Sequence, residues 1–272
     1  MKKKKKMILA GTLVLAFSLL GGCTVQKKQP QNSDMKKIVV GIDKFEPYTY
    51  LDVNGRYTGV DIDLATTIFH KLGYDPEFKI IPWSEKNTYL EDETIDCIWS
   101  CYSMNDREND YQWAGPYLYS RQVIAVSSDS EIYTFDDLTE KRVGVQATTR
   151  ASELFLHKIE SDLPQVKHVN CFATTDDLFA AIRKGYVDAV SGHEALINEL
   201  TENEIGKYRL LDESPHISKV GVAFEKGTHI ELTQEMNELI KEMSQDGTIG
   251  TIAGKYGLDA DKVVVGGEPD EE

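Results

Sequence analysis

The chain has 272 residues, with 30 basic and 45 acidic side chains and a net charge of −15. A chain of this length can bury one large hydrophobic core or two moderate ones. Its acidity argues against a nucleic-acid partner and against a basic membrane-binding face, because both require clustered lysine and arginine.

The N-terminal residues predict an export signal. A basic run, Lys2 to Lys6, precedes an apolar segment, Met7 to Leu20, which is too short to span a bilayer comfortably. The segment closes in Leu20-Gly21-Gly22-Cys23, which resembles the bacterial lipobox and so implies removal of residues 1–22 and acylation of Cys23. The alternative is a plain secretory signal followed by an incidental cysteine. We expect an exported protein that Cys23 anchors to the lipid bilayer at the cell membrane.

Two flanking segments are expected to lie outside the folded domain. Residues 23–36 are polar, lack periodicity and contain a proline, which is typical of a flexible tether. Residues 263–272 form an acidic tail. Without residues 1–22 the chain keeps 25 basic and 45 acidic side chains, so the exported form carries a net charge of −20 over 250 residues.

The three cysteines beyond Cys23 do not suggest a disulfide framework. Cys97 and Cys101 lie in one strand-like run, where residues four apart are separated by about 13 Å. That separation is too large for a disulfide unless the strand ends between them. We expect Cys97, Cys101 and Cys171 to be buried free thiols.

Between the tether and the tail, strand-like and helix-like segments alternate. Asn54-Gly55 between hydrophobic stretches is the strongest local signal for a tight hairpin. From Asp61 the apolar residues follow a helical period until Gly73, a typical helix stop. Further strands are predicted at Lys37 to Ile42, Phe78 to Ile81, Ile95 to Ser100, Arg142 to Val145, Val166 to Phe172 and Val187 to Val190, and further helices at Trp83 to Leu90, Thr149 to Ile159, Thr175 to Lys184, Glu231 to Ser244 and Ile249 to Tyr256. This alternation predicts an α/β protein with a mainly parallel sheet.

Seven residues at the first predicted helix resemble a family signature. Gly59-Val60-Asp61-Ile62-Asp63-Leu64-Ala65 is similar to the signature of family 3 bacterial solute-binding proteins, the receptors of polar amino acid ABC importers. Matching segments follow in the same order over about residues 37–258. They are Trp83, Ile95-Asp96-Cys97-Ile98, Ser100, Ser103, Arg107, Trp113-Ala114-Gly115-Pro116-Tyr117, Val143 to Thr149, Val187-Asp188-Ala189-Val190, Gly221-Val222-Ala223-Phe224 and Asp246-Gly247-Thr248. An ordered series of this extent is far more specific than the first heptapeptide.

The resemblance implies a two-lobed α/β fold, the type II periplasmic-binding-protein-like fold, with the ligand clamped between lobes that two strands join. Lobe 1 is expected at 37–122 and 220–262, and lobe 2 at 126–216. The crossings are expected at Gln122 to Val126 and at roughly Ser218 to Phe224. Two connections restrict the lobes to hinge bending, so that closure becomes a two-state event that a ligand can bias.

Arg107 is the residue that the resemblance singles out most clearly. The matching arginine of the family holds the ligand α-carboxylate, and a guanidinium can do so with two parallel hydrogen bonds that lysine cannot reproduce. The segment from Ser103 to Arg107 is one residue shorter than the usual family spacing. The alternative to a ligand-binding role is that Arg107 is a surface arginine within a charged run.

The other ligand contacts that the resemblance implies are of three kinds. Short polar groups at strand and helix ends could meet the carboxylate, although the threonines could simply cap a helix. Aromatic rings would form apolar walls, and two charged groups would lie at the cleft floor. The polar candidates are Cys101 (through its backbone), Ser103, Thr148 and Thr149, the aromatic ones Phe45 and Trp83, and the charged ones Asp43 and Lys86.

His193 is the main departure from the family pattern. Related receptors usually carry an aspartate there to pair with the ligand ammonium. A neutral histidine can accept one hydrogen bond, but a protonated one would repel an ammonium. Glu194 or Asp43 could supply the missing charge. The ligand is therefore expected to be an amino acid, a modified amino acid or another small carboxylate.

Three functions are weighed on these grounds. The favoured one is a lipid-anchored monomeric receptor that delivers its ligand to an ABC permease, without cofactor, metal or catalysis. A sensor that reports to a signalling partner is the second. A dehydratase or lytic enzyme on the same fold is the third, but the sequence has no phosphate loop, nucleophile elbow or zincin pattern, and no carboxylate pair stands out.

Overall fold

The computed structural model describes residues 35–157 and 163–264, which contain eleven strands and eight helices. The strands are β1 Lys36–Ile42, β2 Tyr50–Leu51, β3 Tyr57–Thr58, β4 Tyr74–Ile80, β5 Cys97–Ser103, β6 Tyr111–Ser127, β7 Arg142–Gln146, β8 His168–Phe172, β9 Ala189–His193, β10 Tyr208–Leu210 and β11 His216–Glu225. The helices are α1 Val60–Lys71, α2 Lys86–Glu91, α3 Arg150–His157, α4 Thr175–Arg183, α5 Glu194–Asn203, α6 Ile230–Gln245, α7 Thr248–Lys255 and α8 Ala260–Val263.

A single mixed sheet runs through both halves of the molecule in the order β4-β1-β5-β11-β6-β9-β7-β8, with β10 paired to β6 outside this path. The first half, lobe 1, contains β1, β4, β5 and helices α1, α2, α6 and α7. The second, lobe 2, contains β7, β8, β9 and helices α3, α4 and α5. The long strand β6 pairs with β11 and, from Gln122 onwards, with β9. The expected two-lobed α/β architecture with two crossing strands is confirmed.

The prediction of a mainly parallel sheet was wrong. β1 is parallel to β4 and β5, and β7 is parallel to β8 and β9. The crossing strands β6 and β11 are antiparallel to each other and to their neighbours β5 and β9. One strand leaves lobe 1 and the other returns to it, and this opposite direction makes the pair antiparallel.

The largest apolar cluster contains residues of both lobes, a second lies within lobe 2, and an aromatic cluster lies beside the end of β5. In lobe 1, the ring of Trp99 meets those of Phe69 and Tyr117 at centroid distances of 5.6 and 5.5 Å. In lobe 2, strand β7 packs against helix α3 in a separate cluster. The aromatic cluster contains Trp83 and Tyr102, whose ring centroids are 5.4 Å apart. This aromatic cluster lies beside the strand ends at which the lobes face each other.

Two of the three cysteines behave as predicted. Cys97 and Cys101 are buried free thiols on β5, and burial raises the pKa of both far above the usual thiol value. Cys171 is free but exposed, so its predicted burial was wrong. It lies on β8, the edge strand of lobe 2, where a side chain has no neighbouring strand on one side.

Several predictions fall partly or wholly outside the described residues. These are the signal peptide 1–22, Cys23, the tether up to residue 34, the end of the helix predicted at Thr149 to Ile159, and residues 265–272 of the tail. Lys36, assigned to the tether, is already the first residue of β1. Val263 and Val264, assigned to the tail, belong to the fold, because Val263 ends α8 and Val264 forms a bridge to Leu118.

Within residues 35–157 and 163–264, no helix combines the length and apolar character that crossing a membrane requires.

Candidate functional site

A cavity lies between the lobes, at the end of the sheet where β1, β5, β7 and β9 finish. Open α/β sheets commonly bind ligands at the carboxyl ends of their strands. Its lining comes from both lobes and is mostly buried. The lining residues are Asp43, Phe45, Trp83, Ser100, Cys101, Tyr102, Ser103, Arg107, Gln122, Gln146, Thr149, Arg150, Ala151, Leu178, Ser191, Gly192, His193 and Leu196.

Eight of the ten residues predicted as ligand contacts line this cavity. They are Asp43, Phe45, Trp83, Cys101, Ser103, Arg107, Thr149 and His193. Lys86 and Thr148 instead line an adjoining cavity at the rim, which shares Tyr102 and Arg107 with the first. The Lys86 ammonium donates to the carbonyl oxygen of Thr148 at 3.2 Å and lies 3.1 Å from its hydroxyl. These two residues therefore join the lobes directly.

Arg107 follows β5 in a tight turn and is 7% exposed. Its Nη1 donates to the Ser103 carbonyl at 2.9 Å, and its guanidinium lies over the Tyr102 ring at 4.8 Å. The Trp113 indole donates to the Arg107 carbonyl at 2.9 Å. Backbone and aromatic contacts thus fix both the direction and the depth of the guanidinium.

Glu153 of α3 meets Arg107 from the other lobe. Both Nε and Nη2 of Arg107 donate to Oε1 of Glu153. An arginine has five N–H groups. The contacts to Glu153 and Ser103 use three of them, which leaves one on each terminal nitrogen. Arg107 can therefore hold Glu153 and still present two donors.

Arg150 brings a second guanidinium to the cleft, and sequence reasoning missed both it and Glu153. Its side chain is 1% exposed and pairs with Asp106 of lobe 1, Nη2 to Oδ2, at 2.7 Å. The same side chain lies 3.6 Å from Oε2 of Glu153. Asp106 and Arg107 thus face Arg150 and Glu153 as two reciprocal ion pairs. The sequence signal was only an arginine and a glutamate one helical turn apart, which is typical of any exposed helix.

His193 is a buried neutral imidazole at the end of β9. Burial, followed by the positive charge of Arg107, lowers its pKa to about 3. Its Nδ1 lies 2.9 Å from the Ser120 hydroxyl and 3.1 Å from Nε2 of Gln122. The ring also meets Phe45 edge-on, with centroids 5.8 Å apart. At neutral pH this position therefore offers a hydrogen bond and no charge.

Asp43 is the carboxylate that lines the main cavity. Its Oδ2 accepts from Nε2 of Gln146 in lobe 2 at 2.7 Å, and its Oδ1 accepts from the Lys44 amide at 2.8 Å. Burial raises its pKa, although these hydrogen bonds oppose the rise. The Asp43 amide donates to the Ser100 hydroxyl at 3.2 Å. The group is thus held in place by both lobes.

Lys86 is buried beside the aromatic cluster. Burial, and then the charge of Arg107, lowers its pKa to about 8. Its ammonium lies 4.9 Å from the Trp83 ring centroid and 5.5 Å from that of Tyr102. The rings and the Thr148 oxygens replace part of its lost hydration.

Thr148 and Thr149 form the turn into α3. Thr148 has a positive φ of 57°, and the Thr149 hydroxyl donates to the Gln146 carbonyl at 2.7 Å. The Thr149 amide donates to the Ser152 hydroxyl at 3.1 Å. The capping role at the start of α3 that the sequence suggested for these threonines is therefore present. Thr149 also lines the cavity.

Three buried polar atoms on the cavity wall have no hydrogen-bond partner among the described residues. They are Nε1 of Trp83, Oγ of Ser103 and Oε1 of Gln122. Buried polar groups in proteins are nearly always paired, so such atoms point to a polar guest. Gln122 was predicted only as the start of a crossing strand, because nothing in its local sequence distinguishes a cleft residue from a hinge residue.

Comparison with known proteins agrees with this geometry. The model of the bacterial extracellular solute-binding proteins, family 3, matches residues 38–259. The chain belongs to this family. Such proteins are extracytoplasmic, and the expected family is confirmed.

Relatives within the family are binding proteins for several amino acids. The histidine-binding periplasmic protein of Escherichia coli K12 is 30% identical over 266 residues, covering 93% of this chain and 96% of the relative. The L-cystine-binding protein TcyJ of the same organism is 23% identical over 259 residues, covering 92% and 95%.

Solved structures extend the likeness to the whole fold. A substrate-binding protein of an ABC uptake transporter from Streptococcus pneumoniae, with bound histidine, has a TM-score of 0.74 at 27% identity and covers 82% of this chain and 94% of its own. An ancestral arginine-binding protein bound to arginine has a TM-score of 0.73 at 29% identity, with coverages of 82% and 99%. The expected type II binding-protein fold is confirmed.

Proposed function

We propose that this solute-binding protein is the substrate receptor of an ABC importer and that it binds an amino acid or a related small carboxylate between its lobes. The observation that carries the proposal is Arg107, a buried guanidinium fixed at the end of β5 with donors left over for a guest. The amino acids named for the relatives support the ligand class, and the fold match supports the importer role.

The proposed mechanism is closure of the lobes on a ligand that contacts both. Arg107, Ser103, Phe45 and Trp83 approach from lobe 1, and His193 and Thr149 from lobe 2. A ligand that touches both walls binds the closed form better than the open one, and so shifts the equilibrium towards closure. We place the hinge where β6 and β11 cross, between 37–122 and 220–262 on one side and 126–216 on the other.

The remaining candidate contacts take supporting roles in this proposal. Asp43 and the Cys101 backbone would form the floor of the cleft. Lys86 and Thr148 would close its rim, since they already contact each other between the lobes. The closed protein would then present a continuous two-lobed surface to the permease.

The cellular setting is part of the proposal. Acylation of Cys23 would hold the exported monomer at the membrane, within reach of its permease. Binding without chemical change is favoured over catalysis because the relatives named above are binding proteins.

A thermal-shift screen of the purified protein against amino acids, their derivatives and other small carboxylates tests the proposal. A ligand at about 100 times its Kd adds about 2.7 kcal/mol to the free energy of unfolding. Arg107→Ala should weaken the affinity for the best ligand roughly 100-fold, because a buried carboxylate loses a charged partner. Arg56→Ala, which removes an exposed arginine far from the cleft, should leave the affinity unchanged. If no carboxylate stabilises the protein, the proposed function is wrong. If both variants bind alike, Arg107 is not the group that holds the ligand.

A further inference from the structure

Gln122 is a buried amide at the point where β6 passes from lobe 1 to lobe 2. Its side chain is 0% exposed and lines the cavity. Its Nε2 donates to the Ser218 hydroxyl at 3.0 Å and faces the His193 ring. Its Oε1 has no partner in the part of the chain that the structure describes. The amide is thus oriented by the crossing strands and offers one free acceptor to a guest.

The wall around this acceptor is polar but uncharged. His193 is neutral, and the neighbouring residues on β9, Ser191 and Gly192, carry no charge. The Ser191 hydroxyl is directed to the Val123 carbonyl at 3.0 Å. These wall residues can receive a hydrogen-bond donor, but none of them is a carboxylate that could balance a cation.

The two acids of the cleft are already engaged by protein groups. Asp43 lines the same cavity, but both of its oxygens are engaged: Oδ2 accepts from Nε2 of Gln146 and Oδ1 from the Lys44 amide. Glu153 lines the rim cavity rather than the main one, and its oxygens face Arg107 and Arg150. Arg107, Gln122 and His193 line the same cavity, so a ligand group beside a carboxylate held on Arg107 can reach the neutral wall.

We propose, on the basis of the receptor function above, that Gln122 is a specificity-determining contact and that the preferred ligand carries a carboxylate with an uncharged N–H or O–H donor on the α carbon. N-acylated amino acids and 2-hydroxy acids have this chemistry. A free amino acid carries an ammonium in the same position, and an ammonium loses its hydration without gaining an anionic partner on the neutral wall. A neutral donor needs only the amide oxygen of Gln122.

Matched ligand sets test this assignment by isothermal titration calorimetry. For each of several side chains, the free L-amino acid, its N-acetyl derivative and the corresponding 2-hydroxy acid are titrated into the wild-type protein. The neutral forms are expected to bind at least about tenfold more tightly than the free amino acid for the side chain with the highest affinity, since tenfold corresponds to one mismatched polar contact.

Variants that each add one negative charge test whether the neutral wall causes the preference for neutral ligands. Gln122→Glu places a carboxylate at the free acceptor and should reverse the preference in favour of the free amino acid. Gln112→Glu adds the same charge on the same strand, where the side chain contacts Thr233 outside the cavity, and should keep the wild-type preference. His193→Asp offers a second route to the reversal if Gln122→Glu does not fold.

The outcomes separate this inference from the proposed function. If the free amino acid binds the wild-type protein more tightly than both neutral forms, the inference is overturned while the receptor function stands. If the neutral forms bind more tightly but Gln122→Glu and His193→Asp both keep that preference, the assignment to Gln122 is overturned. If none of the three forms binds for any side chain, the proposed function itself fails.

Discussion

Asp61 shows how one residue of the family-like heptapeptide connects the helix α1 to the cleft. The side chain is 1% exposed, and its Oδ2 accepts from the Cys101 amide at 2.6 Å, while its Oδ1 accepts from the Tyr117 hydroxyl at 2.8 Å. Cys101 has a positive φ of 47° and lines the cavity. The carboxylate therefore holds an unusual backbone conformation within the strand that leads to Arg107.

Burial raises the pKa of Asp61 to about 7, although both hydrogen bonds oppose the rise. A carboxyl whose folded-state pKa lies above its unfolded-state value binds more protons in the folded protein, so its contribution to stability falls as pH rises from about 4 to about 7. Asp61→Asn removes this titration. The free energy of unfolding of the variant, relative to the wild type, should rise by about 3 kcal/mol between pH 5 and pH 8.

Urea denaturation of both proteins at several pH values measures this difference, and the comparison cancels the other titrating groups. A difference that stays constant across this range would mean that Asp61 titrates outside it.

At the scale of single residues, the sequence predicted the positions that belong to a motif. Eight of ten proposed contacts line the main cavity because each lies at a strand or helix end that the pattern had already located. Glu153, Arg150 and Gln122 could not be found in this way. Their roles depend on which side chain of the opposite lobe they meet, and local sequence contains no information on that.

Gly59 determines how α1 is attached to the loop that carries Phe45. No side chain caps the helix, and its first amides instead donate to loop carbonyls: Val60 to Pro47 and Asp61 to Tyr48, both at 3.0 Å. This approach needs a residue without a Cβ. Gly59 has a φ of 126°, and a Cβ there would lie 2.1 Å from the Tyr48 carbonyl oxygen.

Gly59→Ala should therefore reduce the free energy of unfolding by more than about 3 kcal/mol, because the backbone conformation and the loop contact are both lost. Gly55→Ala is the matched control. Gly55 also has a positive φ, 75°, but a Cβ there would meet nothing within 4 Å, so a loss of about 1 kcal/mol is expected. Urea denaturation measures both values, and equal losses would refute the close-approach argument.

At the scale of elements, periodicity predicted most helices and short parallel strands but not α5, and of the two crossing strands β6 was largely missed. β6 was expected only around Gln122 to Val126 but runs from Tyr111 to Ser127. Its first part mixes polar and apolar residues without a strict alternation, and its partner strand changes along its length. The length of β6 is set by its pairing with strands that are distant in the sequence.

For the whole molecule, reciprocal contacts between the lobes define the closed arrangement. Arg107 pairs with Glu153, and Asp106 pairs with Arg150. A further contact joins Lys44 of lobe 1 to Asp176 of lobe 2 at 3.2 Å. Exposed pairs such as the last contribute little, but the Arg150 guanidinium is buried and depends on its partners.

Asp106→Asn should shift the lobe equilibrium towards the open form, because opening lets water reach the Arg150 guanidinium that has lost an anionic partner. Small-angle X-ray scattering in ligand-free buffer should then give a larger radius of gyration than that of the wild type. Asp110→Asn makes the same change of charge on an exposed residue of the same rim and should leave the scattering unchanged. Thermal denaturation establishes that each variant is folded. If folded Asp106→Asn scatters like the wild type, the pair with Arg150 does not hold the lobes together, and closure must depend on Glu153 and the ligand.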